Sequence, residues 1–125
     1  MSYEVPGYSI GTLLANADLR TKKGSAVKLA GAGAIDLVTV AGETAIGVLL
    51  NSPNIGETAK VGCIGVFPVL SGAAVAINTK ISPDATGRFI TPGAAAAGQV
   101  GFAFEAAAGA GVMFTAFVNC GAGKV

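Results

Sequence analysis

From residue 24 to residue 119 the chain alternates short apolar runs with small turn-forming clusters. The apolar runs are rich in Val, Ile and Phe and are five to nine residues long, which suits strands rather than helices. The pattern predicts strands over 25–30, 35–40, 45–51, 58–66, 74–81, 86–91, 99–105 and 111–119. AGAG, AGE, SPNIGE, SPDATG, TPGAAAAG and AAAGAG separate them, and each carries Gly, Pro, Asn, Asp or Ser where the chain must reverse. The expected fold is all-β, a small closed or partly open barrel. Alanine-rich pieces at 94–97 and 106–110 have Gly close by, so at most single helical turns are expected there. Gly47, Gly62, Gly65 and Gly101 fall inside predicted strands, where glycine marks a bulge, a tight corner or a close backbone approach. The pair Phe67–Pro68 is expected to end the fourth strand, since proline cannot donate to a central ladder.

Residues 1–23 read differently. They hold both tyrosines, Pro6 and three of the eight basic residues, and predict an extended arm ahead of a single β domain at 24–125. Within the arm, YSIGTLLA has the character of one short strand or helical turn. The β domain has two similar halves. Segment 24–66 can be laid over 72–119, with Ala26–Val27 on Ala74–Val75, Ile46–Val48 on Val100–Phe102, and Gly56 near Gly109. Such a duplication predicts two related meanders packed together.

Composition adds a constraint. Charged residues are 12% of the chain against a usual share of about 25%, and hydrophobic residues are 52% with no Trp. Few charges are available to coat a large solvated surface, which favours burial against partners. The net charge of +1 creates no field to steer nucleic acid. Arg20, Lys22, Lys23 and Lys28 cluster, but without interleaved aromatics they read as a solvated loop. Cys63 and Cys120 lie in apolar runs and are expected as reduced thiols, as in cytoplasm. The N-terminus lacks a secretory pattern, and the uncharged stretches 61–79 and 106–123 are broken by Gly or Pro, so no membrane span is expected.

Catalytic chemistry has little to stand on. There is no histidine, hence neither the commonest general base nor the commonest metal ligand. Glu4, Asp18, Asp36, Glu43, Glu57, Asp84 and Glu105 form no close pair in sequence and sit mostly in or beside turns. GAGKV at 121–125 has Val118 in place of the first P-loop glycine, and AAAGAG lacks a dinucleotide fingerprint's third. Lys60 reads as a solvent-facing strand lysine. No catalytic, cofactor or metal residue is assigned.

Gly47–Val48, Gly56–Val61, Gly65–Phe67, Gly72–Val75, Gly87–Arg88 and Gly101–Ala107 carry a pattern that resembles the capsid decoration, or cement, proteins of tailed bacteriophages. The likeness covers about three-quarters of the chain, from residue 24 to 119; Ile77–Asn78 stand where a Gly–Asp turn is usual, and the arm is unmatched. The resemblance implies a non-enzymatic virion protein, made in the host cytoplasm. It implies binding to the major capsid protein on the outer surface of an icosahedral head, as a homotrimer near local threefold positions. It implies no cofactor, nucleic acid, membrane or small-molecule substrate. Tyr3, Val5, Pro6 and Tyr8 are the candidate capsid contacts, since an extended arm can add to a sheet edge and aromatics anchor interfaces. Phe67, Leu70 and Phe89 are the candidate contacts between copies. Two other classes stay open: a tail, fibre or pilus-like assembly module, and a small ligand-binding or hydrolytic barrel.

Overall fold

The computed structural model describes residues 5–41, 45–91 and 100–120, with the side chains of 5–8 outside the description. Nine strands are present among these residues: β1 (Val5–Ala15), β2 (Ala26–Gly31), β3 (Ala34–Leu37), β4 (Gly47–Leu49), β5 (Thr58–Leu70), β6 (Lys80–Pro83), β7 (Phe89–Ile90), β8 (Gly101–Ala103) and β9 (Met113–Asn119). Their order in the sheet is β1-β3-β2-β4-β5-β9-β8-β6-β7. The described residues contain no helix.

A second pairing, β1 with β5, closes the first five of these strands into a barrel. The strands beyond β5 repeat the arrangement. β1 runs parallel to β3 through Leu14–Ala34 and Ala15–Ile35, and Ser71, just past β5, runs parallel to Phe89 of β7. The Ala15 amide donates to the Glu57 carbonyl while Gly56 donates back to Ala15, both at 2.9 Å. In the second half Ser71 donates to Val112 at 2.9 Å and Gly111 donates back at 2.8 Å. Gly56 and Gly111, at φ 80° and 79°, hold the same left-handed turn. The strands β5, β9, β8, β6 and β7 thus form a second ring at a repeat of about 55 residues. Strand β5 closes the first ring and opens the second.

This register places Ile46–Val48 over Val100–Phe102, as the sequence comparison has it. It moves Ala26–Val27 off Ala74–Val75, because β2 matches β6, not the segment before it. The repeat also begins earlier than residue 24. About half of the expected arm is β1, a barrel strand paired with β5 and, at Leu14 and Ala15, with β3.

Two apolar cores follow from strand alternation. On β2 and β4, neighbouring residues face opposite sides. Val27 and Leu49 join Ala15, Leu19, Ile35, Ala59, Val61 and Cys63 inside the first barrel. Ala26 and Val48 point the other way and join Phe67, Val69, Phe89, Phe114 and Val118 in the second core. The β2–β4 wall is therefore buried on both faces, which explains the uninterrupted apolar run AIGVLL. Close packing here needs glycine. A Cβ at Gly101 would strike the Phe117 carbonyl on β9, and one at Gly47 would strike the Gly62 carbonyl on β5.

Three expectations change. Strand β5 passes through Pro68, which lies opposite Thr115, and ends at Leu70. The proline is tolerated because, among the described residues, the β1 pairing reaches only Val66 and β9 alone flanks the strand at Pro68. Ala106–Ala110 forms no helical turn, since Ala107 instead exchanges hydrogen bonds with Val75 at 2.8 and 2.9 Å. The expected turn at 94–97 lies outside the described residues. The segment 74–81 contributes only the Val75 bridge and the start of β6, with Asn78 at φ 64° turning the chain between them.

Gly101→Ala is expected to lower unfolding stability by about 2 kcal/mol or more, because backbone must shift to admit the methyl group. Gly56→Ala meets open space and should cost about 1 kcal/mol through its positive φ alone. Urea unfolding of the two variants measures both losses and their order.

Candidate functional site

The residues singled out from the sequence scatter in the structure. Tyr3 lies outside the described residues. Val5, Pro6 and Tyr8 belong to β1, where Val5 pairs with Val66 and Tyr8 with Ile64 of β5. Phe67 and Phe89 are each 1% exposed and belong to the second core, so their side chains have no surface to offer another copy. The Phe67 ring lies over Gly62, where any side chain would strike it. Leu70 alone of the three is partly open to solvent.

Two surfaces stand out on the folded chain. The first is an aromatic row on β8, the residue just past it and β9. Phe102 pairs with Phe117 across the ladder, with ring centroids 5.4 Å apart. Phe104 lies 5.6 Å from Phe102, centroid to centroid. Phe102 and Phe104 remain 38% and 37% exposed, an unusual state for phenylalanine in a chain with so few aromatics. The alternation of Phe102 and Phe104 in GFAFE was the available signal, since alternate residues of a strand share one face.

The second is a cleft at the seam between the rings. One cavity of roughly 580 Å³ is lined by Arg20, Thr21, Lys23, Pro68, Leu70 and Met113. A neighbouring one of roughly 330 Å³ is lined by Thr21, Lys22, Ser25, Leu70, Thr86 and Arg88, and the two share Thr21 and Leu70. The β1–β2 connection is held there by backbone bonds of 2.8 Å, from Gly24 to Leu49 and from Leu70 to Gly24. Opposite, the Asp84 carboxylate organises the turn before β7, accepting from the Thr86 amide, the Thr86 hydroxyl and the Arg88 amide at 2.8, 2.7 and 3.1 Å. Three of the four clustered cations thus line a cleft, and Arg88 joins them from the other repeat. Lys28 is elsewhere, on β2, with its Nζ donating to Thr39 at 3.2 Å.

The charges in this region are partly committed. Arg20 is paired with Asp18 in a two-pronged contact at 2.9 and 2.8 Å. Hydrogen bonds from the Arg20 side chain and amide hold the Asp18 carboxyl down at about 2. Burial pushes the Cys63 thiol up, as befits an unreactive core residue. Among the described residues no group of three or more His, Cys, Asp and Glu side chains gathers to hold a metal ion. No helix among them is long and apolar enough to cross a membrane.

The described residues form a pair of β rings that carries an aromatic row and a cleft on its surface. The family model of the phage cement proteins matches residues 10–120, which takes in β1 from Ile10 onward and all of β2 to β9. The chain belongs to the phage cement protein family and is a structural component of a phage virion. A search of curated proteins returned no match. Among solved structures, the N base of head fiber gp8.5 in bacteriophage phi29 has a similar fold, with a TM-score of 0.66 at 14% identity. The match covers 90% of this chain and 94% of that one.

The Asp18–Arg20 pair gives a direct check of the seam's local structure. The depressed carboxyl means that the pair's contribution is complete above the ordinary aspartate value of 3.8 and is lost as pH falls through about 2. Carboxyl-carbon NMR is expected to give an Asp18 midpoint near 2, returning towards the ordinary value in Arg20→Gln.

Proposed function

We propose that this chain is a cement protein that docks on the outer surface of an icosahedral phage head as a homotrimer and holds the shell against internal pressure, without catalysing a reaction. The observation that carries this reading is the family match across both rings. The fold suits the task. Two cores locked by a common wall make a stiff body, and three weak footprints bound together hold far more tightly than one. The major capsid protein is the proposed partner, near local threefold positions. Tyr3, Val5, Pro6 and Tyr8 remain the proposed capsid contacts at the chain's start. For contacts between copies the proposal keeps Leu70 and turns from buried Phe67 and Phe89 to the exposed Phe102 and Phe104.

A second reading draws on the likeness to the phi29 head fiber base: a ring pair that seats a projecting fibre on the head. Electron microscopy of decorated shells separates the two, since a cement protein gives low caps and a fibre base gives projections.

Mass measurement in solution and co-sedimentation with undecorated shells test the first reading. A trimer that binds shells and raises their resistance to heat is expected. A monomer that ignores shells would end it. Tyr8→Ala should weaken shell binding by about tenfold if the start of the chain is an anchor, and unchanged binding removes it from the interface.

A further inference from the structure

We propose that the cleft at the seam seats an extended acidic segment of a protein partner, its carboxylates on Lys22 and Arg88 and its apolar side chains on Leu70 and Met113. Taking that partner to be the shell rests on the reading above; the chemistry of the cleft does not.

Three observations carry it. Uncommitted positive charge is the first. Lys22 and Lys23 make no ion pair among the described residues. Among the same residues the Arg88 guanidinium makes one hydrogen bond, from Nε to the Thr86 hydroxyl at 3.3 Å. That leaves the rest of the fork for a carboxylate, the group its planar geometry fits. The nearby carboxylates are occupied, Asp18 with Arg20 and Asp84 with its own turn. The second observation is Ser25. It is 1% exposed and lines the cleft, yet its hydroxyl has no hydrogen-bond partner among the described residues. A buried hydroxyl without a partner is destabilising, and an incoming acceptor would relieve it. The third is the cleft's floor of Pro68, Leu70 and Met113, apolar and without an aromatic ring. That floor suits aliphatic side chains. Single-stranded nucleic acid would want stacking platforms and a longer basic track, and a net charge of +1 supplies no such field. An acidic peptide matches both the charge and the floor.

The test has two arms on the full chain. In the first, amide NMR follows titration with the blocked peptide acetyl-Asp-Leu-Glu-Leu-amide, its Asn/Gln counterpart and oligothymidylate. Saturable shifts at residues 21–25 and 86–88 are expected from the acidic peptide alone, weakened about tenfold in Lys22→Glu/Arg88→Glu. Ser25→Ala should keep or raise stability while weakening the peptide. No shift at the seam, or an equal response to oligothymidylate, overturns the proposal. In the second arm, shells are titrated with the wild type, Lys22→Glu/Arg88→Glu and Lys80→Glu, the last lying outside the cleft. A loss of about tenfold confined to the double variant supports the shell as partner. Equal binding by all three overturns it and leaves the head-binding reading intact. If the wild type itself ignores shells, that reading fails, and the peptide titration alone decides the cleft. Should the double variant not fold, Arg88→Gln takes its place in both arms.

Discussion

One strand has to satisfy two cores. Strict alternation along β5 would keep Ala59, Val61, Cys63, Phe67 and Val69 on a single face. They are instead divided, the first three inside one barrel and the last two inside the other. Gly65, at φ 145°, lies between the two groups, in backbone that only glycine enters readily. Just beyond it Phe67 lays its ring over Gly62. Burying one such ring contributes about 2–3 kcal/mol, and it is available only because Gly62 has no side chain. The double-faced burial of β2 and β4, the closure through β1 and the second ring all follow from this change of side.

Much of this architecture was legible in the chain. Turn residues sit where the chain reverses, and apolar runs map onto all the strands after the first, with ends that overshoot β4 and β8 and stop short of the end of β5. The glycines inside strands announced close approaches, and Gly47 and Gly101 proved to be equivalent positions of a repeat. The register of that repeat was half legible. Gly–Val and Gly–Phe at 47–48 and 101–102 are anchored by steric need, whereas Ala–Val pairs recur anywhere in so alanine-rich a chain. The first strand was only partly legible, YSIGTLLA suiting a short strand or a helical turn, because its pairing is parallel to β3 and bulged against β5, and neither leaves a clean period of two. Pro68 misled because a proline's effect depends on which edge is open, a fact of tertiary structure.

The docking surfaces were less legible for a similar reason. Phe67 and Phe89 look like interface anchors in a chain poor in aromatics, but the second core uses them first. Phe102 and Phe104 share a face by simple alternation, yet only the fold shows that both rings stay partly exposed, with no covering layer among the described residues. The cleft joins residues 20–25 to Arg88 across the two repeats. Nothing local in either segment connects them; the backbone bond from Ala26 to Gly87 at 2.7 Å does.

The common strand also bears on how such a body carries load. Two barrels joined by a linker would swing about it, and the joint would yield first. Here a pull on one barrel reaches the other through the covalent backbone of β5, with β1 and β9 gripping that strand along most of its length. Hydrogen bonds so arranged are strained in shear, many at once, rather than peeled open singly. The seam resists stretching along β5 as a tie-rod does.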